Sequence, residues 1–416
     1  MDIVTTAFWF AYFVSLYLII FWLLVYLEHG ATDVPKRLRR KPLVSIVIPA
    51  YNEEKNIDYT IQPLLQLHYP KEKIEILVVD DGSTDSTADT VRHVMQAHPD
   101  WNIQLLLQKN KGKGAALNHA LRVAKGEFFV CLDADSRIEP EALQKLLPEF
   151  EDTEVAAVLP AIKVERPETI VQKIQWFEYT LTWFLKKMMG HLHCVYVTPG
   201  PFTVYRKKLL HQLQGFDEHN LTEDMEIAFK IQKADYKIIQ LLNTHVWTKT
   251  PRTIHTFYRQ RNRWYKGGLH NLMKYKDMIF NPKYGEFGLL QMPLMWISVL
   301  LSTLVFFFVY YKNFIHPLWE RIYNWAFIDY HVDFSLGKMF NEGALLGHDY
   351  STLFLIYAAF AIALLYAFLA FRVNKEKFFR EKLHVPVLYF LFYPMAIFFI
   401  WILILVDLAR GKRQRW

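Results

Sequence analysis

Hydrophobic and polar positions change character along the chain. Ile3–Leu27 carries no charge and is long enough to cross a hydrocarbon core. From about Glu28 to Arg259 the composition is that of a soluble protein, and then three more uncharged runs follow, Phe287–Tyr311, Ser351–Phe371 and Val385–Val406. The pattern predicts a membrane protein with a soluble domain inserted after its first span: a transmembrane helix over 1–28, a soluble domain over 29–255, an amphipathic interface helix over 256–285, and about three spans over 286–416. The first run lacks a basic leading segment and a small-residue cleavage site, so it reads as a retained anchor rather than a signal peptide.

Inside the soluble part, apolar runs alternate with helical patterns. Leu43–Ala50, Ile74–Val79, Ile103–Leu107 and Phe128–Leu132 read as strands, with Val155–Leu159 a further one. Helices are expected from about Asn56, up to about Ala97 with Thr84 or Asp85 as cap, and through about Ala124. Strands alternating with helices imply a mostly parallel sheet covered on both faces. Thr169–His193 and Thr256–Lys276 read as longer helices. The first is rich in aromatics (Trp176, Phe177, Tyr179, Trp183, Phe184) and suits either a membrane interface or a buried core.

Charge orients the membrane part. Lys36, Arg37, Arg39, Arg40 and Lys41 follow the first run, which places the soluble domain in the cytoplasm; Arg372, Lys375, Lys377, Arg380 and Lys382 mark a second cytoplasmic loop. The tail Arg410, Lys412, Arg413, Arg415 would then lie outside, unless one apolar segment enters and leaves on the same side. The formal charge of +7 is mostly juxtamembrane, which fits anionic lipid and not nucleic acid. With only Cys131 and Cys194, the 416-residue chain has no disulfide framework and no zinc spacing.

The chemistry gathers where strands end. Phe128–Leu132 runs into Asp133, Ala134 and Asp135, two carboxylates at the carboxyl end of a strand, where open α/β sheets bind ligands. Such hard oxygen ligands suit Mg²⁺ or Mn²⁺, with a diphosphate completing the shell; the plainer alternative is two solvated acids or a cap for a helix near Glu139. Glu53 and Asp81 end the first two strands and either accept from a base or ribose or cap helices. Lys113, between Gly112 and Gly114, can approach a base or phosphate, but the spacing is not that of a P-loop. Val197–Arg206 must turn at its Pro and Gly. In Asn220–Glu226, Asp224 beside Glu223 is a candidate general base, with capping by Thr222 or Asp224 as the alternative. Gln260, Arg263 and Trp264 share one helix face, offering an amide, a guanidinium and an indole, unless that helix is only an amphipathic anchor.

Taken in order, VDDGSTD (Val79–Asp85), NKGKGAALN (Asn110–Asn118), the DAD pair, TED (Thr222–Asp224) and QRNRW (Gln260–Trp264) resemble the membrane-embedded glycosyltransferases of family 2. The branch they are most similar to is the processive β-glycan synthases that make poly-N-acetylglucosamine, chitin, hyaluronan or cellulose. The resemblance covers roughly Lys41–Met273 plus flanking spans. It implies a GT-A-type, Rossmann-like α/β catalytic domain in the cytoplasm, an α-helical transmembrane bundle, and a multi-pass cell-membrane location. It further implies a UDP-sugar donor held by Ala50, Tyr51, Glu53, Asp81 and Lys113, with Asp133 and Asp135 facing the diphosphate and its Mg²⁺ or Mn²⁺, Asp135 the more direct ligand. Asp224, supported by Glu223, would deprotonate the acceptor hydroxyl; Thr222, Gln260, Arg263 and Trp264 would border acceptor and diphosphate; and Gly200, Tyr205 and Arg206 resemble the family's turn near the acceptor. Inversion at the anomeric carbon would give a β-linkage.

Thr248–Pro251 departs from the family's Thr-Glu-x-Pro pattern, with Lys249 in place of the acid. A regulatory domain after the spans, of the kind that senses a second messenger in cellulose synthases, is not expected, and Lys312–Tyr350 has no placed counterpart. The leading expectation is transfer from UDP-GlcNAc to a growing β-linked polysaccharide that passes through the membrane helices. The alternative is one transfer to a lipid such as a diacylglycerol, ceramide or polyprenyl phosphate. A dead scaffold would have lost a chemical position, and none is lost; a transporter would show an internal repeat, and none is visible. The partners implied are donor, acceptor and bilayer, with an accessory membrane protein left open.

Overall fold

The computed structural model describes residues 3–298, 311, 315–328, 350–378 and 384–410. Residues 299–310 of the Phe287–Tyr311 run, most of Lys312–Tyr350, and the basic residues Arg380, Lys382, Lys412, Arg413 and Arg415 lie outside them, so the side of the tail does too. Two compact units emerge: Met1–Glu28 with Met295–Leu369, and His29–Leu294 with Ala370–Trp416.

The first unit contains most of α1 (Ile3–His29), α10 (His316–Ile328) and most of α11 (Tyr350–Val373). Among the described residues, two helices are apolar over a stretch long enough to cross a membrane, Tyr12–His29 within α1 and His384–Asp407 within α12 (His384–Ala409); α11 has a shorter apolar stretch, Tyr357–Val373.

The second unit is built on one eight-stranded sheet in the order β3-β2-β1-β4-β7-β6-β8-β5. Its strands are β1 (Val44–Ala50), β2 (Ile74–Asp80), β3 (Ile103–Leu107), β4 (Phe128–Cys131), β5 (Ser136–Ile138), β6 (Val155–Val164), β7 (Thr203–Arg206) and β8 (Lys237–Thr248). The helices between them are α2 (Ile57–Leu64), α3 (Thr87–Ala97), α4 (Lys113–Val123), α5 (Ala142–Leu146), α6 (Ile170–His191), α7 (Lys207–Gln212), α8 (Glu223–Lys233) and α9 (Ile254–Lys274).

β3, β2, β1 and β4 are parallel, as the alternating pattern predicts, and β1 and β2 are buried almost throughout because helices cover both faces. Ser45 donates to Glu75 at 2.6 Å, and that carboxylate also accepts from the Lys125 N–H, so the polar exceptions in these strands are paired.

The other half departs from the expected parallel sheet. β7 is antiparallel to both β4 and β6, and β5 is antiparallel to β8. The long β8, which the apolar pattern did not single out, lies parallel to β6 with an irregular register. β6 also runs on to Val164, beyond the expected Leu159, because β8 continues to pair with it. No side-chain cap from Thr84 or Asp85 starts α3; Asp85 instead accepts from the Thr87 N–H at 3.0 Å and from the Glu54 N–H at 3.2 Å. Thr169 and Gln172 form a reciprocal capping box at the start of α6, as do Thr253 and Thr256 at α9. α6 packs on β6 and β8 and against α12, burying Trp176, Phe177, Trp183 and Phe184, so it is a core helix of this unit.

Candidate functional site

The four parallel strands end at one edge, and the polar loops leave from there. On the β1–β3 side the loops hold one another. The Asp81 N–H donates to the Ala50 carbonyl at 2.9 Å, tying the ends of β1 and β2. Asp81 is buried, and both its carboxylate oxygens accept from the chain: Oδ1 from Gln108 Nε2 at 2.7 Å and Lys111 N at 2.9 Å, Oδ2 from Gly112 N at 2.8 Å. It thereby fixes the turn that launches Lys113. Asn52 accepts from the Thr84 N–H at 2.8 Å, and Tyr51 projects into solvent. Glu53 accepts from Asn56 at 2.6 Å; burial first, and Asp133 besides, push its carboxyl above the usual range.

Lys113 is the hinge of the arrangement. Its ammonium lies 2.6 Å from Asp133 Oδ1 and 3.2 Å from Glu223 Oε1. Burial alone would lower its pKa, but Asp133, Glu223 and Asp224 outweigh burial and hold the group above its ordinary value. One lysine therefore joins the DAD turn to the TED turn, two segments distant in sequence. Asp135 accepts from Ser136 at 3.1 Å and Thr248 at 3.3 Å, and burial, then Asp133 and Glu53, push it up to about 6. Asp224 is also pushed up to about 6, by burial and then by Glu223, with Lys113 and Arg263 pulling the other way.

The backbone under Asp224 is braced. Thr198 donates to the Asp224 carbonyl through its N–H at 3.1 Å and its hydroxyl at 2.8 Å, and Tyr205 of β7 donates to that hydroxyl at 2.9 Å. Neither Thr222 nor Asp224 provides the expected N-cap for α8: Thr222 makes no cap bond, and Asp224 Oδ1 accepts from the adjacent Met225 N–H at 2.9 Å. The turn after Thr198 lies directly over the charged pair. A Cβ on Gly200 would come within 2.3 Å of Asp133 Oδ1 and 2.5 Å of Lys113 Nζ, and buried Phe202 adopts a left-handed φ of 58°.

α9 carries Gln260, Arg263 and Trp264, and of these Arg263 is close enough to the TED turn to pull the Asp224 carboxyl down. Gly267 approaches Thr222 so closely that a Cβ would meet its Oγ1 at 2.4 Å. The buried Gln260 Oε1 has no hydrogen-bond partner among the described residues. The pattern did not single out Arg261, which is 3% exposed, pairs with Glu178 of α6 at 2.5 Å and lies 4.4 Å from the Trp264 ring. Nor did it assign a site role to Tyr179, Trp183 and Lys186, although their i, i+4, i+7 spacing puts them on one face of α6. Lys186 is buried with its ammonium 4.2 Å from the Trp183 ring; burial lowers its pKa to about 7, the Asp224 charge opposing. The buried Trp183 Nε1 has no acceptor among the described residues. Lys249, in place of the acid, donates to Asn56 at 2.6 Å and lies 4.9 Å from the Tyr59 ring, so it caps the Glu53 end of the crevice.

Residues 45–214 match the model for glycosyl transferase family 2. The chain carries a family 2 glycosyltransferase domain. A poly-beta-1,6-N-acetyl-D-glucosamine synthase of Staphylococcus epidermidis is 29% identical over 233 residues, 56% of each chain. The Staphylococcus aureus protein of the same name is 28% identical over 276 residues, 64% of this chain and 66% of its own. The chain thus spans little more than half the length of the S. epidermidis relative. A mannosyltransferase from Pyrobaculum calidifontis, solved in complex with GDP-Man and Mn²⁺, superposes with a TM-score of 0.59 at 21% identity, over 89% of this chain and 96% of that one. That likeness makes the fold of the family 2 domain GT-A-like.

The two carboxylates of the DAD turn fit a divalent ion as a donor pair. They are hard oxygens whose mutual repulsion, with Glu53 nearby, is relieved by positive charge. No group of three or more His, Cys, Asp or Glu among the described residues is placed to hold a metal ion, so other ligands must come from a substrate or water.

Proposed function

We propose that the chain is an inverting, metal-dependent hexosyltransferase that moves a sugar, GlcNAc as first choice, from a UDP-sugar to a growing β-linked polysaccharide at the membrane. The observation that carries this reading is the bridge of Lys113 between Asp133 and Glu223, which brings the DAD carboxylates and the Asp224 carboxylate to one crevice. Asp133 and Asp135 would hold Mg²⁺ or Mn²⁺, which supplies positive charge to a departing diphosphate. Lys113 and Arg263 add cationic charge on the same side. Asp224, with a carboxyl near 6, is a base at cytoplasmic pH and retains enough basicity to take a hydroxyl proton. Its backbone, held by Thr198 and Tyr205, gives that carboxylate a defined position. Gln260 and the indole of Trp264 present the amide and apolar face that a sugar ring takes.

The staphylococcal synthases of similar sequence support the choice of GlcNAc and of a polymeric product. α1 and α12, and the apolar part of α11, would hold the domain at the cytoplasmic face of a multi-pass bundle, and product passage through that bundle belongs to the same proposal. The test is UDP release by purified protein from a panel of UDP-sugars, with GDP-Man included, in Mg²⁺, Mn²⁺ or EDTA. Metal-dependent release from UDP-GlcNAc with a ladder of products supports the proposal. A single glycolipid product would replace the polymer with a lipid acceptor, and release from GDP-Man alone would overturn the donor.

A further inference from the structure

A second cavity, of about 140 Å³, opens beside the carboxyl ends of β6 and β8, and the proposed transfer chemistry makes no use of it. Arg137 of β5, Trp247 of β8, Trp176 of α6 and the Lys163–Arg166 segment that leaves β6 form its walls. Two donors there lack an acceptor. Arg137 Nε is buried without a hydrogen bond, its guanidinium stacked 4.6 Å from the Trp247 ring. Trp176 is 3% exposed, and its Nε1 is likewise without a partner among the described residues. Buried polar groups are nearly always satisfied, so two orphan donors lining one cavity mark the place of an absent acceptor.

Charge gives that acceptor its sign. Glu376 is neutralised by Lys163 at 2.9 Å. Glu165 accepts from the Tyr59 hydroxyl, and Arg137 stands 3.7 Å from it, beyond hydrogen-bond reach. Arg166 makes no ion pair or hydrogen bond among the described residues and holds a left-handed φ of 39°. Three cations against two carboxylates leave the walls net positive. The free donors come from three directions, β5, α6 and the turn after β6, which suits an anion with three oxygens better than a planar carboxylate.

We infer that this cavity binds a phosphate group, separately from the donor crevice. Two sources share that chemistry, a soluble phosphate and the headgroup of an anionic lipid. The lipid source has positional support: Trp176 packs edge-on at 5.2 Å against Phe371, in the last turn of apolar α11.

The test uses the full chain in a neutral, phosphate-free detergent. Inorganic phosphate and dihexanoyl-phosphatidylglycerol are titrated separately by calorimetry against wild type, Arg166→Gln, Trp176→Phe and Lys113→Gln. Arg166 is exposed, so its variant tests the site without disturbing the core. The expected result is saturable binding, weakened about tenfold or more in both Arg166→Gln and Trp176→Phe and kept in Lys113→Gln. Binding of inorganic phosphate alone names the soluble source, and binding of the lipid the headgroup. No binding of either, binding unchanged in both cavity variants, or binding lost only in Lys113→Gln overturns the inference. None of these readouts depends on sugar transfer.

Discussion

The two sides of the crevice are built on opposite terms. On the β1–β3 side, Asp81, Asn52 and Asp85 bond to the chain's own backbone, and the loops are finished before any ligand arrives. On the α6–α9 side, Gln260 Oε1 and Trp183 Nε1 are buried without partners among the described residues, and Lys186 lies against the face of an indole. A self-satisfied wall presents a fixed shape, whereas a wall with orphan donors and acceptors is completed by what binds it. Rigidity and appetite for ligand are thus divided between the two sides of the crevice.

The sharpest way to break this contrast lies between the two walls. Asp224→Asn is expected to lower turnover by about 10²–10⁴-fold. The wild-type rate should fall as pH drops through about 6, where the carboxyl takes up its proton. Because burial raises that carboxyl in the folded state, the variant should also be more stable than wild type at pH 8. The gain should shrink as pH falls through 6 towards the unfolded value, as followed by thermal unfolding at several pH values. Wild-type stability at pH 8 would contradict the burial argument.

Arg261→Ala comes next. It leaves Glu178 as an uncompensated carboxylate among buried side chains, and the expected loss is about 3–5 kcal/mol, measured as thermal or denaturant unfolding in detergent. Gly200→Ala pushes on the far ends of Asp133 and Lys113, which swing aside at small cost to the fold. Turnover is therefore expected to drop about 10–100-fold with a nearly unchanged melting temperature. The smallest effects give the cleanest comparison. Asp81→Asn, on the finished wall, should cost about 1–3 kcal/mol, because an amide cannot accept every N–H the carboxylate takes. Lys186→Met, on the open wall, should stabilise by a similar amount, about 1–3 kcal/mol at pH 6, since it removes a buried unpaired ammonium. That gain should fade as pH rises from 7 towards 10, where the lysine is neutral in the folded protein anyway. Equal signs for these two variants would erase the contrast.

How far the sequence foretold this follows from periodicity. β1–β4 and the helices between them were legible because a parallel sheet buried on both faces writes itself as unbroken apolar runs. β7 and β8 were not: β7 has only four residues and β8 alternates buried and half-exposed positions next to polar residues. The five motifs stood out in the sequence as candidate chemistry, yet the contacts among their residues did not. That Lys113 meets Glu223 depends on β7 returning antiparallel to β4, a non-local pairing with no local signature. Arg261 lay hidden inside its own motif, since the eye falls on Gln260, Arg263 and Trp264, whereas its partner Glu178 sits on another helix.

One brace deserves to be followed outward. Asp133 follows β4, and the carbonyl of Asp224 hangs from Thr198, clamped by Tyr205 on β7; the register of those strands pairs Cys131 with Thr203 and Phe129 with Tyr205. The span between the DAD turn and Asp224 is thus a ladder dimension, set by strand pairing like the gap of a caliper. A caliper of this kind gauges what it grips. Substrates that differ in the length between leaving group and attacking hydroxyl would be sorted by fit before any side chain reads their identity, and evolution could alter the sugar read by the surrounding loops without resetting the gap.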